Sequence, residues 1–469
     1  MSSELELLSR RFLRPGDSTL GRLDRPSSVP YDEDEEEGLT ARRKGAPSLP
    51  QISRRAALAP PSPIRRLMPL AEAARQRGLH VHHLNIGQPD LPTPAPMWAA
   101  LARHRDGVLA YGPSDGLPVC RAALRRYYAA LGIAVDDSEL VVTTAGSEAL
   151  LFALAASLNP GETVLIPEPL YANYLGFATL LGVEVRPIPC RVEDGYHLPE
   201  DLDRYVEPGT RAFLFANPGN PTGTVYGTEE LGRIAELARR HGLFVIADEV
   251  YRELVYDDRQ RATSVLELSD LGDRAILVDS LSKRYSLCGA RVGALISRNA
   301  EVMGAVRRFA MARLSPPVLG QLVAAAAAEL GPEYFDQIRT TYRSRRDLTV
   351  RALRAIPGAT CPEPEGAFYV MARLPVADAE AFVRFLLESF AIAGETTMLA
   401  PGNGFYHTPG GGKDEVRVAY VLEEEKLERA LDIVTQGLAA FKAEAESAPA
   451  ESAARRPAAA RPASRGALT

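Results

Sequence analysis

Lysine is nearly missing from this chain of 469 residues. Five are present, Lys44, Lys283, Lys413, Lys426 and Lys442, and arginine supplies almost all other positive side chains. Between positions 45 and 412 there is one lysine, Lys283. Cysteine is also sparse. Cys120, Cys190, Cys288 and Cys361 are scattered and form no CxxC pair, which argues against a disulfide framework and a zinc ribbon. They read as buried or incidental thiols in a reducing cytoplasm. No apolar run approaches the roughly 18 to 20 residues that span a bilayer, so no membrane association is expected. Basic excess is absent as well: the net charge is -6, which gives no field for nucleic acid. His80, His82 and His83 have some metal-like spacing, but no matching Cys, Asp or Glu cluster follows. No metal is expected there, and the segment reads as an exposed strand.

What is present is ordinary globular composition, 46% hydrophobic and 24% charged. The length fits two domains, or one large domain with a satellite. Residues 1–52, with the acidic run Asp32 to Glu37, and residues 446–469, rich in Ala, Pro, Ser and Arg, bury too little to offset ordering and read as disordered tails. Between them, short β-branched runs alternate with amphipathic stretches. The runs are 140–144, 163–166, 184–188, 211–215, 243–247, 275–278 and 293–297; segments 147–158 and 228–241 read as helices. Alternation of this kind implies parallel crossovers, an α/β fold with a mainly parallel, doubly wound sheet. Further strands near 367–372 and 415–421, with a closing helix after Glu423, point to a smaller α+β C-terminal domain. The expected division is an arm and part of the small domain at 53–110, a large domain at 111–315 and the small domain at 316–445.

In such sheets ligands bind outside the carboxyl ends of the strands, and the unusual residues lie there. Strand 140–144 runs into Ala145-Gly146-Ser147-Glu148, which opens a helix and offers free N–H groups to an anion; a simple cap at Ser147 is the plainer alternative. Strand 211–215 runs into Asn217-Pro218-Gly219-Asn220-Pro221-Thr222-Gly223, a stiff turn in which Asn220 can donate and accept. Strand 243–247 ends in Asp248, a buried acid that needs a cation or donor. Strand 275–278 ends in Asp279-Ser280-Leu281-Ser282-Lys283. Arginine cannot form a Schiff base, whereas a deprotonated lysine can. An anion-binding helix start, an acid suited to a ring nitrogen and one lysine together fit pyridoxal phosphate. Gly410-Gly411-Gly412-Lys413 lacks a complete phosphate-loop pattern and reads as a mobile loop over the active site. Cys288 has no base partner and reads as packing.

Here the chain resembles the class I, fold-type I aminotransferases of the aspartate aminotransferase superfamily, over about 53–445. The matching motifs are Leu84 to Asp90, Tyr111 to Gly116, Gly146-Ser147-Glu148, Asn217 to Gly223, Asp248 to Tyr251, Ser280 to Lys283, Arg291 and Arg417. The resemblance implies residue roles. Lys283 would carry the internal aldimine and move the α-proton. Asp248 would keep the cofactor's pyridinium protonated, and a neighbouring positive charge is expected to hold its own pKa down. Tyr251 and Asn220 would hydrogen-bond the ring hydroxyl, and Tyr171 would stack on the ring. Gly146, Ser147, Ser280 and Arg291 would bind the phosphate, with backbone help from Glu148. Tyr111 would reach the phosphate of the partner in a cytoplasmic homodimer with shared sites. Arg417 would grip the substrate α-carboxylate, helped by Gly87.

The implied activity is ping-pong transfer of an amino group between an L-amino acid, aspartate first, and a 2-oxo acid such as 2-oxoglutarate. Ser147 stands where some aspartate-specific relatives carry a lysine that reads the side-chain carboxylate. Alanine, aromatic and specialised biosynthetic substrates therefore stay open. So does a β-eliminating C–S lyase, which would use the same lysine and aspartate. A non-catalytic regulator on this fold would need a fused helix-turn-helix, and residues 1–52 contain no such helix pair.

Overall fold

The computed structural model describes residues 50–104, 107–257 and 261–447. A boundary falls after Ile52, and the chain from Ser53 forms one unit. The tails expected at 1–52 and 446–469 lie outside the described residues, except 50–52 and 446–447; the last two continue the helix Glu424–Ser447.

Twelve strands are formed among the described residues: β1 (His80–His83), β2 (Leu140–Thr143), β3 (Thr163–Glu168), β4 (Glu184–Pro189), β5 (Thr210–Ala216), β6 (Phe244–Asp248), β7 (Ala275–Ser280), β8 (Gly293–Ile296), β9 (Tyr369–Arg373), β10 (Glu395–Met398), β11 (Ala400–Pro401) and β12 (Glu415–Ala419). Seven build the main sheet in the order β2-β8-β7-β6-β5-β3-β4. The pairs from β7 through β4 are parallel, and β8 alone runs against its neighbours. The main sheet is thus the mainly parallel, doubly wound α/β sheet expected from the sequence. Strand order reverses between β3 and β5, which opens a crevice at their carboxyl ends.

Apolar residues fill both faces. On β6, Val245 and Ala247 enter the core on one side and Ile246 enters the core on the other. Double coverage explains why these strands read as continuous apolar runs rather than alternating ones. The helix Thr228–His241 shows the complementary pattern. Leu231, Ile234, Ala235 and Ala238 are buried at 3.6-residue spacing, and Gly242 ends it at φ 69. The expected helix 147–158 begins earlier, as Ala145–Ser157, because the first turn follows directly on Thr144.

A second core gathers around the antiparallel sheet β11-β12-β9 and the parallel pair β1-β10, with the helices Glu333–Arg354, Ala379–Glu388 and Glu424–Ser447. The histidine strand is not exposed as its composition suggested. Pairing with β10 buries Val81 and His82, and burial lowers the His82 pKa. The glycine run at 410–412 is fastened by Gly411 N–H to the Thr408 carbonyl and by Ala379 N–H to the Lys413 carbonyl.

Candidate active site

β7 ends at Ser280, and the chain turns at once into the four-residue helix Leu281–Arg284. Ser280 caps its start by accepting the Ser282 N–H. A buried ion pair fixes its end: Arg284 donates to both Asp279 oxygens at 2.6 and 2.9 Å, and the Tyr128 hydroxyl donates to Asp279 at 2.7 Å. Burial alone would raise the Asp279 pKa, but the Arg284 charge brings it below the ordinary value. Lys283 therefore rises from a rigid base. Its Nζ donates to the Gly87 carbonyl at 2.8 Å.

Gly87 cannot be another residue without rearrangement. A Cβ there would sit 1.7 Å from the Tyr369 Oη. That hydroxyl lies 2.9 Å from the Tyr251 hydroxyl, and the Tyr369 ring lies 4.4 Å from the Arg417 guanidinium. Arg417, on β12, is 1% exposed. It donates Nη1 to Asn220 Oδ1 at 3.0 Å and Nη2 to the Asn85 carbonyl at 2.6 Å. Its Nε has no partner, and no carboxylate pairs with it among the described residues. Burial lowers its pKa from the ordinary arginine value.

Asp248 closes β6 and is buried. Tyr174 donates to its Oδ2 at 3.0 Å, and Val250 N–H approaches Oδ1 at 3.4 Å. The sequence expectation of a depressed pKa is not met by the chain's own groups. Desolvation dominates and raises the pKa to about 6, while the positive charge of Lys283 lowers it only slightly. Tyr171 lies at the same crevice; burial pushes its hydroxyl up to about 12, and the charges of Asp248, Arg417 and Arg291 all reach it.

Ala145, at φ 60, turns β2 into the helix Ala145–Ser157. The first-turn N–H groups of Gly146 and Ser147 have no intrahelical acceptor. Gly146 faces Ser280: a Cβ on it would lie 3.5 Å from the Ser280 Cβ. The Glu148 carboxylate turns back to the Thr144 N–H at 2.8 Å and pairs with Arg313 at 2.7 Å, so only its backbone is left for a ligand. Arg291 is exposed and donates to the Cys288 carbonyl at 3.1 Å. Tyr111 is 84% exposed. Thus the fold gathers Lys283, Gly87, Tyr251, Asn220 and Arg417 around Tyr369 through hydrogen bonds and close packing, with Asp248 and Tyr171 in contact with Tyr174. Cys288, read as packing, donates its thiol to the Ser282 carbonyl at 3.2 Å.

Residues 80–434 match the family model described as aminotransferase class I and II. The chain belongs to this family. It is 32% identical over 370 residues to an aspartate/prephenate aminotransferase of Cereibacter sphaeroides, covering 75% of this chain and 90% of the relative. It is 30% identical over 406 residues to an aspartate aminotransferase of Geobacillus stearothermophilus, covering 83% and 99%. Among solved structures it resembles an alanine aminotransferase from Pyrococcus furiosus, with TM-score 0.76 and 28% identity over 83% of this chain and all of that one. The fold is that of the fold-type I aminotransferases, and the chain is a pyridoxal-phosphate-dependent transaminase.

The side chains of this aminotransferase suit that cofactor. Asp248 is a desolvated acid with no cation bonded to it among the described residues, which fits a protonated ring nitrogen. Bare helix N–H groups, the Ser280 hydroxyl and Arg291 form a donor set that suits a phosphate. Tyr369, Tyr174 and Asn85 were not singled out from sequence. Tyr174 stands three residues after Tyr171, so its place beside Asp248 had a local signal. Asn85 lies within the Leu84 to Asp90 motif, but its contact with Arg417 crosses more than three hundred positions, and Tyr369 meets Tyr251 across more than a hundred with no local pattern to mark it.

Proposed function

We propose that this aminotransferase moves an amino group between an L-amino acid, aspartate first, and a 2-oxo acid such as 2-oxoglutarate, in a ping-pong sequence. The observation that carries the reading is Arg417, a buried guanidinium with no carboxylate of its own among the described residues, one hydrogen-bond step from Asn220 and one ring away from the Lys283 network. A planar fork of this kind suits an α-carboxylate. Pyridoxal phosphate, when bound, supplies an aldehyde for the amine and a ring that takes up electron density from the α-carbon.

The chain's residues do the rest. Gly146, Ser147, Ser280 and Arg291 hold the phosphate, with the Glu148 backbone. Asp248 would keep a proton on the ring nitrogen, Tyr171 would stack on the ring, and Asn220 and Tyr251 would bind the ring hydroxyl. Arg417 and the Gly87 backbone fix the carboxylate, which sets the α-C–H within reach of Lys283. Lys283 would then take that proton and return it to the carbon two bonds away, across the nitrogen. Tyr111 serves the partner's site in a homodimer; its exposure, together with that of Val108 and Leu109, supports this. A cytoplasmic setting fits the four free cysteines. Among the described residues no helix is long and apolar enough to cross a membrane.

Loaded enzyme mixed with L-aspartate, L-glutamate, L-alanine or L-phenylalanine, without oxo acid, tests the reading. A change in the visible absorption with release of the matching oxo acid, fastest for aspartate, is expected. A faster response to alanine or phenylalanine would move the substrate assignment. Release of pyruvate and ammonia from a β-substituted amino acid, with no half-reaction, would favour the lyase.

A further inference from the structure

Glu168 is the last residue of β3, at the strand-order reversal, and is 2% exposed. No cation pairs with it among the described residues. Its carboxylate instead gathers three donors from one distant segment. Oε2 accepts His407 N–H at 3.0 Å and Thr408 N–H at 3.1 Å, and Oε1 accepts the Thr408 hydroxyl. Two residues beyond Glu168, Leu170 N–H donates to the Phe405 carbonyl at 2.7 Å. The segment is held from its other side as well: the Tyr406 hydroxyl donates to Glu415 Oε2 at 2.6 Å. What the segment carries is Phe405, fully buried, with its ring 4.9 Å from the Arg417 guanidinium. Among the described residues, Phe405 and Tyr369 are the two rings that flank Arg417.

We infer that Glu168 is a positioning residue for substrate carboxylate binding: it ties the segment 405–408 to the cofactor sheet and so sets Phe405 against Arg417. The same strand end leads through Pro169 and Leu170 to Tyr171, so one anchor spans the ring-facing and carboxylate-facing sides of the site. A buried carboxylate collecting two N–H groups and a hydroxyl is a strong, directional joint. Removing it strands those donors in a dry place, and the segment must shift to rehydrate them. The Arg417 fork then loses its wall, and small displacements of a positioning group are costly.

The inference rests on Arg417 as the carboxylate-binding residue, and the test separates the two. Glu168→Ala, Glu168→Gln, Thr408→Val and Arg417→Lys are compared as loaded enzymes. Glutamine can offer its oxygen to the N–H pair and its amide to the Thr408 oxygen, so it should stay within twofold of the parent. Glu168→Ala should raise KM for both the amino acid and the oxo acid at least fivefold, with kcat changed less than threefold and the visible spectrum of the loaded enzyme unchanged. Thr408→Val, which leaves the two N–H contacts, should show a smaller rise in the same direction and keeps the test open if the alanine variant does not fold. Arg417→Lys raising KM while Glu168→Ala and Thr408→Val leave it unchanged would overturn the role of Glu168 alone. Arg417→Lys leaving KM unchanged would overturn the carboxylate reading beneath it. A fall in kcat with an altered cofactor spectrum in Glu168→Ala would also refute the inference, since the defect would then lie on the Tyr171 side.

Discussion

Asp248 places function and stability in opposition, and the conflict can be measured. Its side chain ionises near 3.8 when free and at about 6 in the folded chain, because burial outweighs its two hydrogen bonds. The folded state thus holds the proton more tightly than the unfolded state. The group contributes stability below pH 3.8, and that contribution is lost as pH rises through about 6. A gap of roughly two units corresponds to about 3 kcal/mol. Asparagine has nearly the same volume, can bond Tyr174 and carries no charge. Cofactor-free Asp248→Asn should therefore be more stable than the parent at pH 8, by up to about 3 kcal/mol. The difference should shrink steadily toward pH 5. Urea unfolding of both proteins, at one protein concentration and several pH values, reads this directly. Added pyridoxal phosphate should reverse the order, since ligand binding stabilises only in proportion to affinity and the parent alone offers a carboxylate to the ring nitrogen. A variant less stable than the parent at pH 8, or a difference flat from pH 5 to 8, would refute the argument that desolvation controls this group.

Three further outcomes follow from single contacts. Gly87→Ala should cut kcat/KM by ten- to a hundredfold, because the new methyl overlaps Tyr369 and overpacking of this kind costs about 1–3 kcal/mol. Adding Tyr369→Phe should not restore activity, since the Cζ atom, 2.4 Å from the added Cβ, remains; steady-state kinetics on the pair decides it. Arg284→Met leaves Asp279 charged and buried, so the urea midpoint should fall by the equivalent of about 3–5 kcal/mol, and Asp279→Leu in the same chain should recover most of it. Lys283→Ala should keep the far-ultraviolet circular dichroism of the parent while abolishing transamination, and any retained turnover above background refutes the role given to Lys283.

Local chemistry made the main sheet legible. Every run assigned to a strand between 140 and 297 forms one: the inner strands are buried and carry unbroken apolar residues, while β4, at the sheet edge, exposes Glu184 and Arg186. The second layer was legible only in part. β9 and β12 carry the same apolar signal, but β10, Glu395-Thr396-Thr397-Met398, is polar in sequence and is buried through its pairing with β1. His82 reads as exposed for the same reason: its neighbour in space is Glu395, more than three hundred positions away. In the site, residues at strand ends announced themselves, because an acid or a lysine is expensive there. Tyr369 did not, since an aromatic at the start of a strand is ordinary core until Gly87 is laid against it.

Two charges in the site, Asp248 and Arg417, stand in contrast to an ion pair beside them. Asp279 and Arg284 are as deeply buried as Asp248 and Arg417, yet they satisfy each other through two hydrogen bonds. Asp248 and Arg417 have opposite signs and share the crevice, but the fold does not pair them. Tyr174 and Val250 hold the one, and Asn220 and Asn85 hold the other. Neutral partners orient a charge without cancelling it. Were the two allowed to meet, the crevice would be more stable and would have no charge left over for a cationic ring or an anionic carboxylate. The separation is kept by rigid parts: β6 sets Asp248, β12 sets Arg417, and Tyr369 lies against Arg417 with its hydroxyl fixed by Tyr251. The physical requirement on this site is therefore that its opposite charges be prevented from finding each other, which makes the neutral residues around them as necessary as the charges themselves.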